Sequence, residues 1–331
     1  MRSPVTVARE LPREHVAEIQ RSRLLAAAFG AVEEHGYEGA TVAHITNRAR
    51  VSRRTFYELF ANREECIAAA LYDVAALLER ELRTADLAGL AWRERIRQGL
   101  WLILCFLERD PTLAGVMIVH SQRGGSAVLE AREAIIARLV AAVDEGRRER
   151  ACLAGCSELT AEGVLGAALA ILHARLTRPA VKGPRLTDLL GELSAIVLLP
   201  YLGPAAAGRE RARPAPVPPP RLPRAKQARL VAHDPLARLP MRVTYRTAKV
   251  LEGVDLHPGA SNREVAERAG IADPGQVSKL LSRLERLGLL ENAGAGPATG
   301  EPNAWRLTAT GVSVAHAITA HLRTTASERV A

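Results

Sequence analysis

The sequence predicts a mainly α-helical protein in two parts, with a proline-rich linker between them and a small β-hairpin near the C-terminus. Three observations predict this. Apolar residues recur at spacings of three and four through most of the chain, as in helices with one buried face. Nine of the 19 prolines lie between Pro204 and Pro240. A glycine-rich turn and a strand-like segment, residues 304–308, interrupt the helical pattern after position 288.

Length and charge suggest what such a protein contacts. The 331 residues are 48% hydrophobic, enough for two or three domains with cores, and the formal net charge is +9. Of the 45 cationic side chains, 41 are arginine. Arginine contacts phosphates and guanine edges bidentately, so this balance favours a polyanionic partner, although a GC-rich genome would also enrich arginine.

Several classes of protein are excluded by missing signals. No apolar stretch approaches the ~20 residues of a membrane span, and the N-terminus has no signal-peptide core, so we expect a cytoplasmic protein with no membrane partner. The chain has no nucleophile elbow, P-loop, dinucleotide fingerprint or zinc-protease motif. We therefore expect no enzyme, no catalytic residues and no cofactor. The spacing of the four cysteines fits no zinc site, so no metal is expected.

The first element with a functional pattern is a predicted helix-turn-helix within residues 21–71. A first helix ends at His35-Gly36, because glycine tolerates the left-handed conformation that often follows a helix. Thr41 is placed to cap a second helix, Val42 to Ala49, and Ser52 to cap a third, Arg53 to Phe60.

The outer side of that third helix has the chemistry needed to read a DNA groove. Phe56 and Phe60, four residues apart, turn the helix inward and leave cationic and hydroxyl groups outside. Segment 47–63 also has five arginines against one acid, a net charge of +4. The side chains left outside on this helix are Arg53, Arg54, Thr55 and Tyr57.

This segment resembles the TetR family of transcriptional regulators. The resemblance lies in Gly36-Tyr37, Ala40-Thr41, Ile45, Val51, Ser52, Thr55-Phe56-Tyr57 and Phe60. It implies that Thr41 and Tyr57 contact phosphates and that Ser52, Arg53, Arg54 and Thr55 lie near base edges. The family usually has a lysine shortly after the last phenylalanine that holds a phosphate, and this chain has Arg63 in that region. The DNA contacts predicted for this segment are therefore Thr41, Arg50, Ser52, Arg53, Arg54, Thr55, Tyr57 and Arg63.

Residues 63–203 have no comparable motif, and the resemblance implies a helical domain for dimerisation and for binding a small-molecule effector. The last two helices, Leu165 to Leu176 and Leu186 to Leu199, are the apolar pair expected at a homodimer interface. Trp101, Phe106, Met117 and His120 are candidates for the effector pocket, although apolar residues at helical spacing favour ordinary core packing as the explanation for each of them. The helices predicted here are about 63–83, 91–109, 111–121, 125–149, 160–177 and 185–201.

The basic linker, residues 204–240, leads to a second predicted helix-turn-helix. Ser261 begins a capping box with Glu264, Asp273-Pro274 begins the following helix, and a hairpin comes after Gly288. This order of elements, with LLSRLERLGLLEN followed by WRLTATG, is similar to the winged helix of MarR-type regulators. The DNA-contact candidates in this part are Ser261, Gln276, Ser278, Lys279, Arg283 and Arg306.

The predicted wing departs from the usual pattern, because residues 292–304 contain Glu301 and no cation. A winged helix used for protein contacts or oligomerisation is therefore the alternative to a second DNA reader. The organisation predicted is a TetR-like DNA-binding domain (1–62), a helical ligand and dimer domain (63–203), the linker (204–240) and a winged helix (241–331). The function predicted is a regulator, in the family habit a repressor, that binds a pseudo-palindromic double-stranded DNA site as a dimer.

Overall fold

The computed structural model describes residues 13–85, 87, 89–149, 152–153, 156–178, 185–216, 244–294 and 302–328, with side chains up to residue 318. Within these residues the protein is mainly helical with one two-stranded sheet, so the predicted fold class is confirmed. Most of the predicted linker, residues 217–240, and the tip of the predicted wing, residues 295–301, lie outside the described residues.

The three N-terminal helices follow the predicted order, but the first begins earlier. Gly36 has φ 70° and ψ 169° inside α1, so it interrupts the helix near its end, as the sequence predicted. The hydroxyl of Thr41 accepts a hydrogen bond from the backbone N–H of His44 (3.2 Å), in keeping with its predicted capping role. These helices are α1 (Arg13–Gly39), α2 (Val42–Ala49) and α3 (Arg53–Leu59).

Longer helices follow, and one of those predicted is broken. The helix expected over residues 111–121 ends after one turn and continues as a π-helical turn, Gly115–Val119, and a 3₁₀ turn, His120–Arg123. π-Helical turns of this kind are frequent at functional sites. The helices of this part are α4 (Arg63–Thr84), α5 (Trp92–Arg109), α6 (Pro111–Ala114), α7 (Ser126–Asp144), α8 (Thr160–Thr177) and α9 (Leu190–Ala212).

Helix α9 extends into the segment predicted as linker. Gly203, with φ 78°, kinks the helix, and Pro204 directly after it can begin a new helical segment because its fixed φ suits a first turn. Glu210 is buried against Arg97 of α5. Residues 204–212 are therefore part of the helical fold, and the predicted boundary at residue 203 is corrected to the end of α9.

One helical run, Leu186–Ala212, is long and apolar enough to cross a membrane, which the sequence analysis did not identify. Half of its most apolar window is buried within the protein, including Leu193 and Leu198. Burial of this kind is expected of a core helix, whose side chains pack on neighbouring helices.

The C-terminal elements form a helix-turn-helix pair and a hairpin. Ser261 and Glu264 form the predicted capping box, and Asp273 accepts hydrogen bonds from two N–H groups at the start of the next helix. The strands are antiparallel, with Leu290 opposite Leu307, so the predicted hairpin is present. The elements are α10 (Tyr245–Leu256), α11 (Asn262–Ala269), α12 (Pro274–Arg286), β1 (Leu290–Asn292), β2 (Trp305–Leu307) and α13 (Ala309–Glu328).

The chain forms two units, each with its own core. The helical unit contains residues 24–48 and 53–232, and the composite unit contains residues 1–23, 49–52 and 233–331. The composite unit thus includes the first turns of α1. Val16 and Ile19 are buried in the same cluster as Val250 and Leu284, a contribution that the sequence analysis did not predict.

Candidate functional site

Helix α3 presents a cationic outer face on a buried aromatic base. Phe56 and Phe60 are buried, with ring centroids 5.7 Å apart, which fixes the inner side of the helix. Arg53 and Arg54 are exposed on the other side, and Tyr57 is 58% exposed although it contacts the edge of Phe56.

The two arginines of α3 differ in whether another side chain binds them. Arg54 Nε donates to Glu58 Oε1 at 2.9 Å, one turn along the helix. No described residue forms an ion pair or hydrogen bond with Arg53, so its guanidinium is available to an external anion. Arg50, in the turn before α3, is exposed and has φ 53°. Ser52 and Thr55 are half-buried, at the start and on the flank of α3.

Arg63, predicted to hold phosphate, has a structural role in the protein itself. Its Nη1 donates to the backbone oxygens of Tyr37 (2.9 Å), Glu38 (3.2 Å) and Ala40 (2.7 Å). The guanidinium also stacks over the Tyr37 ring, 4.8 Å from its centroid. Arg63 therefore holds the end of α1 against the start of α4, a role that the sequence analysis missed. Phosphate contact by Arg63 stays a prediction.

Helix α12 of the composite unit also has an exposed polar face. Val277, Leu281 and Leu284 are buried at helical spacing, which orients the opposite side outward. That side includes Gln276, Ser278, Lys279, Ser282, Arg283 and Arg286, all exposed. Among the described residues, no carboxylate pairs with the cations of this face.

A chain of asparagine contacts joins this helix pair to the hairpin. Asn262 Oδ1 accepts from Trp305 Nε1 (2.6 Å) and from Asn303 Nδ2 (3.0 Å), while its Nδ2 donates to Ser278 Oγ (3.1 Å). Asn303 Oδ1 in turn accepts from Asn292 Nδ2 at 2.9 Å. The sequence analysis missed Asn262, although an asparagine directly after the capping serine was the available signal.

Two predicted contacts of this unit, Ser261 and Gln276, have partners within the protein. The Ser261 hydroxyl donates to Glu264 Oε2 (2.8 Å), and hydrogen bonds from the backbone and side chain of Ser261 lower the pKa of Glu264. Gln276 Oε1 accepts from Arg246 Nη1 (2.9 Å) and keeps its amide group exposed. Arg306 is exposed on β2, opposite Glu291.

A cavity of about 580 Å³ lies among α4, α5, α7, α8 and α9 of the helical unit. This is within the usual range for sites that bind small organic molecules. Its walls are aliphatic and aromatic, with Leu78, Trp92, Ile103 and Leu172 among them. Of the four residues predicted to form an effector pocket, Phe106 and Met117 line the cavity, whereas Trp101 and His120 do not.

The irregular segment after α6 connects this cavity to the first helix-turn-helix. Met117 and Ser121 of this segment line the cavity. At one end of the segment, Thr112 Oγ1 donates to Glu33 Oε2 of α1 at 2.6 Å. At the other end, the backbone N–H of Gly125 donates to the hydroxyl of Tyr37 at 2.9 Å. Movement of this cavity wall would therefore act directly on α1.

Within the described part of the chain, no group of three or more His, Cys, Asp or Glu side chains is arranged to hold a metal ion.

Comparison with known proteins supports the identity of the N-terminal helices. Residues 24–70 match the family model described as bacterial regulatory proteins, tetR family. These residues span the end of α1, all of α2 and α3, and the start of α4. No curated protein sequence matches the chain.

The chain is also similar to solved structures of transcriptional regulators. These include FadR from Bacillus halodurans (TM-score 0.48, 18% identity, 53% of this chain and 96% of that one). FadR from Bacillus subtilis, solved with stearoyl-CoA, has a TM-score of 0.47 and 17% identity over 54% of this chain and 97% of its own. SmeT, the repressor of a Stenotrophomonas maltophilia multidrug efflux pump, has a TM-score of 0.48 and 20% identity over 63% of this chain and 100% of its own. At these scores the similarity bears neither on family nor on function.

Proposed function

We propose that this protein is a cytoplasmic, sequence-specific DNA-binding regulator of the TetR type, and not an enzyme. The observation that carries this proposal is the exposed cationic face of α3, set on buried aromatics within a segment that matches the tetR family model. A short helix of this kind enters the major groove, where arginine reads guanine edges. In this function Arg53 and Arg54 contact bases, and Thr41 and Tyr57 contact phosphates.

A homodimer is part of this proposal, because one short helix reads too few base pairs for specificity. Helix α8 has a face of small exposed residues, Gly163, Gly166, Ala167 and Ala170, that would allow close approach of a second copy. Leu199 on α9 is 47% exposed. In a dimer the two copies of α3 would lie ~34–36 Å apart to read successive grooves of a pseudo-palindrome. We expect the mass in solution to be that of two chains.

Effector control is supported by the cavity and its connection to α1. A ligand that fills the space beside Met117 and Ser121 would displace the segment whose ends are bonded to Glu33 and Tyr37. Displacement of α1 changes the position of α3 and hence the distance between the two reading helices. The protein would then release its operator on binding the effector, as a repressor does.

We further propose that the composite unit is a winged helix that reads DNA through α12. The exposed Gln276, Lys279 and Arg283 support this, because their side chains suit adenine and guanine edges or phosphates. The wing residues named above provide no cation, which favours reading by α12 over insertion of the wing in the minor groove.

Selection of genomic DNA fragments tests both proposals on the full-length chain. Wild type is compared with Arg53→Ala, with the double variant Lys279→Ala/Arg283→Ala, and with Arg268→Ala as a control on the exposed side of α11. We expect Arg53→Ala to lose the palindrome and the double variant to lose a second element or flanking contacts. Unchanged selection by the double variant would assign α12 to protein contacts instead. Unchanged selection by Arg53→Ala would reject the DNA-reading role of α3.

A further inference from the structure

The charged groups of the cavity in the helical unit are unevenly distributed. Its walls are mostly aliphatic, yet Arg83, Arg95 and Arg132 line it against a single carboxylate, that of Glu145. A cation beside an apolar cavity is costly unless a counter-charge or hydrogen bonds compensate for lost water.

Two of these arginines already have carboxylate partners. Arg95 pairs with Glu145 and also donates to the backbone oxygen of Leu90 at 3.1 Å. Arg83 lies 3.8 Å from Glu79 and is largely exposed, so water solvates it.

Arg132 differs from both. It is half-buried on α7, one turn before the cavity-lining Ile135 and Ile136. Among the described residues, nothing forms an ion pair or a hydrogen bond with its guanidinium. In the described part of the chain, the cavity wall therefore has one cation without a counter-charge, on a wall that is mostly aliphatic.

We propose that the cavity binds a linear aliphatic molecule with one anionic end group, and that Arg132 holds that group. This rests on the effector control proposed above and names the chemical class of the effector. The carboxylate or phosphate of the ligand supplies the missing counter-charge, and planar guanidinium geometry allows two parallel hydrogen bonds to it. The chain of the ligand lies along the aliphatic walls.

The size of the cavity agrees with such a ligand. A volume of 580 Å³ holds about twenty atoms of the size of water, at ~30 Å³ each. A medium-length fatty carboxylate fits within that space. A chain that ends near Met117 would press on the segment leading to α1, so occupancy and control of DNA binding would be coupled.

Isothermal titration of the full-length protein with decanoate, decanol and decyltrimethylammonium tests the proposal. These probes share one chain and differ in charge at the end. We expect decanoate to bind roughly 10-fold more tightly than decanol, since a hydrogen bond to a charged group contributes a factor of this order. The cationic probe should bind most weakly. A phosphate-ended chain, decyl phosphate, distinguishes carboxylate from phosphate recognition.

Variants on α7 assign the anion contact. Arg132→Gln should remove the preference for decanoate over decanol and leave the binding of decanol unchanged, and Arg132→Lys should restore most of the preference. Arg138→Gln is the matched control, because Arg138 lies on the same helix, pairs with Glu79 and is absent from the cavity wall. Equal affinity of wild type for decanoate and decanol, no binding of either, or an equal loss in Arg138→Gln would each overturn the proposal.

DNA binding is measured separately on the same samples, with fragments selected as above. Failure of the protein to bind DNA while decanoate still binds through Arg132 would reject the proposed function and leave the ligand class intact. DNA binding with no preference for the anionic probe would reject the proposed ligand class and leave the proposed function intact.

Discussion

Replacing Glu210 by alanine should destabilise the helical unit by about 3 kcal/mol. Arg97 Nη1 donates to Glu210 Oε1 at 2.7 Å, and the two side chains are only 4% and 5% exposed. Without Glu210, the guanidinium stays buried with no counter-charge, and removing one partner of a buried ion pair costs ~3–5 kcal/mol. Arg97 keeps hydrogen bonds to the backbone oxygens of Arg213 (3.1 Å) and Pro214 (3.0 Å), so we expect the lower end of that range.

The measurement is the loss of helical circular dichroism on heating and in urea. At ~2–4 °C per kcal/mol for a domain of this size, Tm should fall by roughly 6–12 °C. Arg138→Gln is the control, because Arg138 pairs with Glu79 at the surface of the same unit, where its side chain is 61% exposed. Exposed pairs contribute only ~0–1 kcal/mol, so this variant should lose little.

The reasoning would be refuted if Glu210→Ala lost no more stability than Arg138→Gln. Glu210 would then not be a buried partner, and residues 204–212 would be linker after all. A double variant, Arg97→Met/Glu210→Leu, separates charge from packing. It should regain much of the stability lost in Glu210→Ala, because an apolar pair of similar volume leaves no buried charge without a partner.

Three further predictions concern the helix-turn-helix units and the cavity segment. Arg53→Ala should weaken operator binding by about 1–3 kcal/mol, measured by fluorescence anisotropy. Arg54→Ala should weaken it by less, because Arg54 already donates a hydrogen bond to Glu58. Equal losses of binding in the two variants would contradict this. Burial, with a smaller effect of nearby Arg123, lowers the pKa of His120, so the native state disfavours its protonation. Stability should fall as pH decreases from ~6.5 through that lowered value, and His120→Gln should show a shallower loss in denaturant titrations at each pH. Asn262→Ala leaves the indole N–H of buried Trp305 without its acceptor. Urea denaturation should therefore show that the free energy of unfolding falls by about 1–3 kcal/mol. A fall below ~0.5 kcal/mol would mean that the asparagine contacts do not stabilise the unit.

The sequence predicted the first helix-turn-helix well because its signals are local. Gly36 interrupts α1 with a left-handed conformation, Thr41 caps α2, and Phe56 and Phe60 are buried one turn apart. Each feature follows from neighbours within a few residues. The contacts of Arg63 could not be predicted in this way, because its three carbonyl partners lie more than twenty residues away in the sequence. Nothing in the local sequence identifies them.

The cavity residues were predicted only in part, for reasons of helix geometry. Leu100 and Ile103 of α5 line the cavity, and Trp101 comes one residue after Leu100. Consecutive residues of a helix point about 100° apart, so Trp101 faces away from the cavity. His120 follows a π-helical turn, whose extra residue shifts the side that faces inward. Apolar composition identified the right helices but could not give their rotation.

The sequence did not predict that the first turns of α1 pack in the core of the composite unit. Val16 and Ile19 have the spacing of a buried helix face, yet spacing alone does not say which core receives them. They are buried with residues more than 200 positions later, and His15 Nε2 lies 2.5 Å from the backbone oxygen of Ile318. The composite unit therefore needs both ends of the chain, and a fragment that begins after the linker would lack part of its core.

The segment from Thr112 to Gly125 joins the proposed ligand site to the end of α1, next to the helix-turn-helix proposed to read DNA. A regular helix here would pack as a rigid rod, with every backbone group bonded to the next turn. The π-helical and 3₁₀ turns replace that rod by two short, differently wound pieces. Met117 meets the cavity within the π-helical turn, while Thr112 and Gly125 are bonded to Glu33 and Tyr37 of α1. In the proposed control, a ligand that displaces Met117 would move this segment and α1 with it, and through α1 the helix proposed to read DNA.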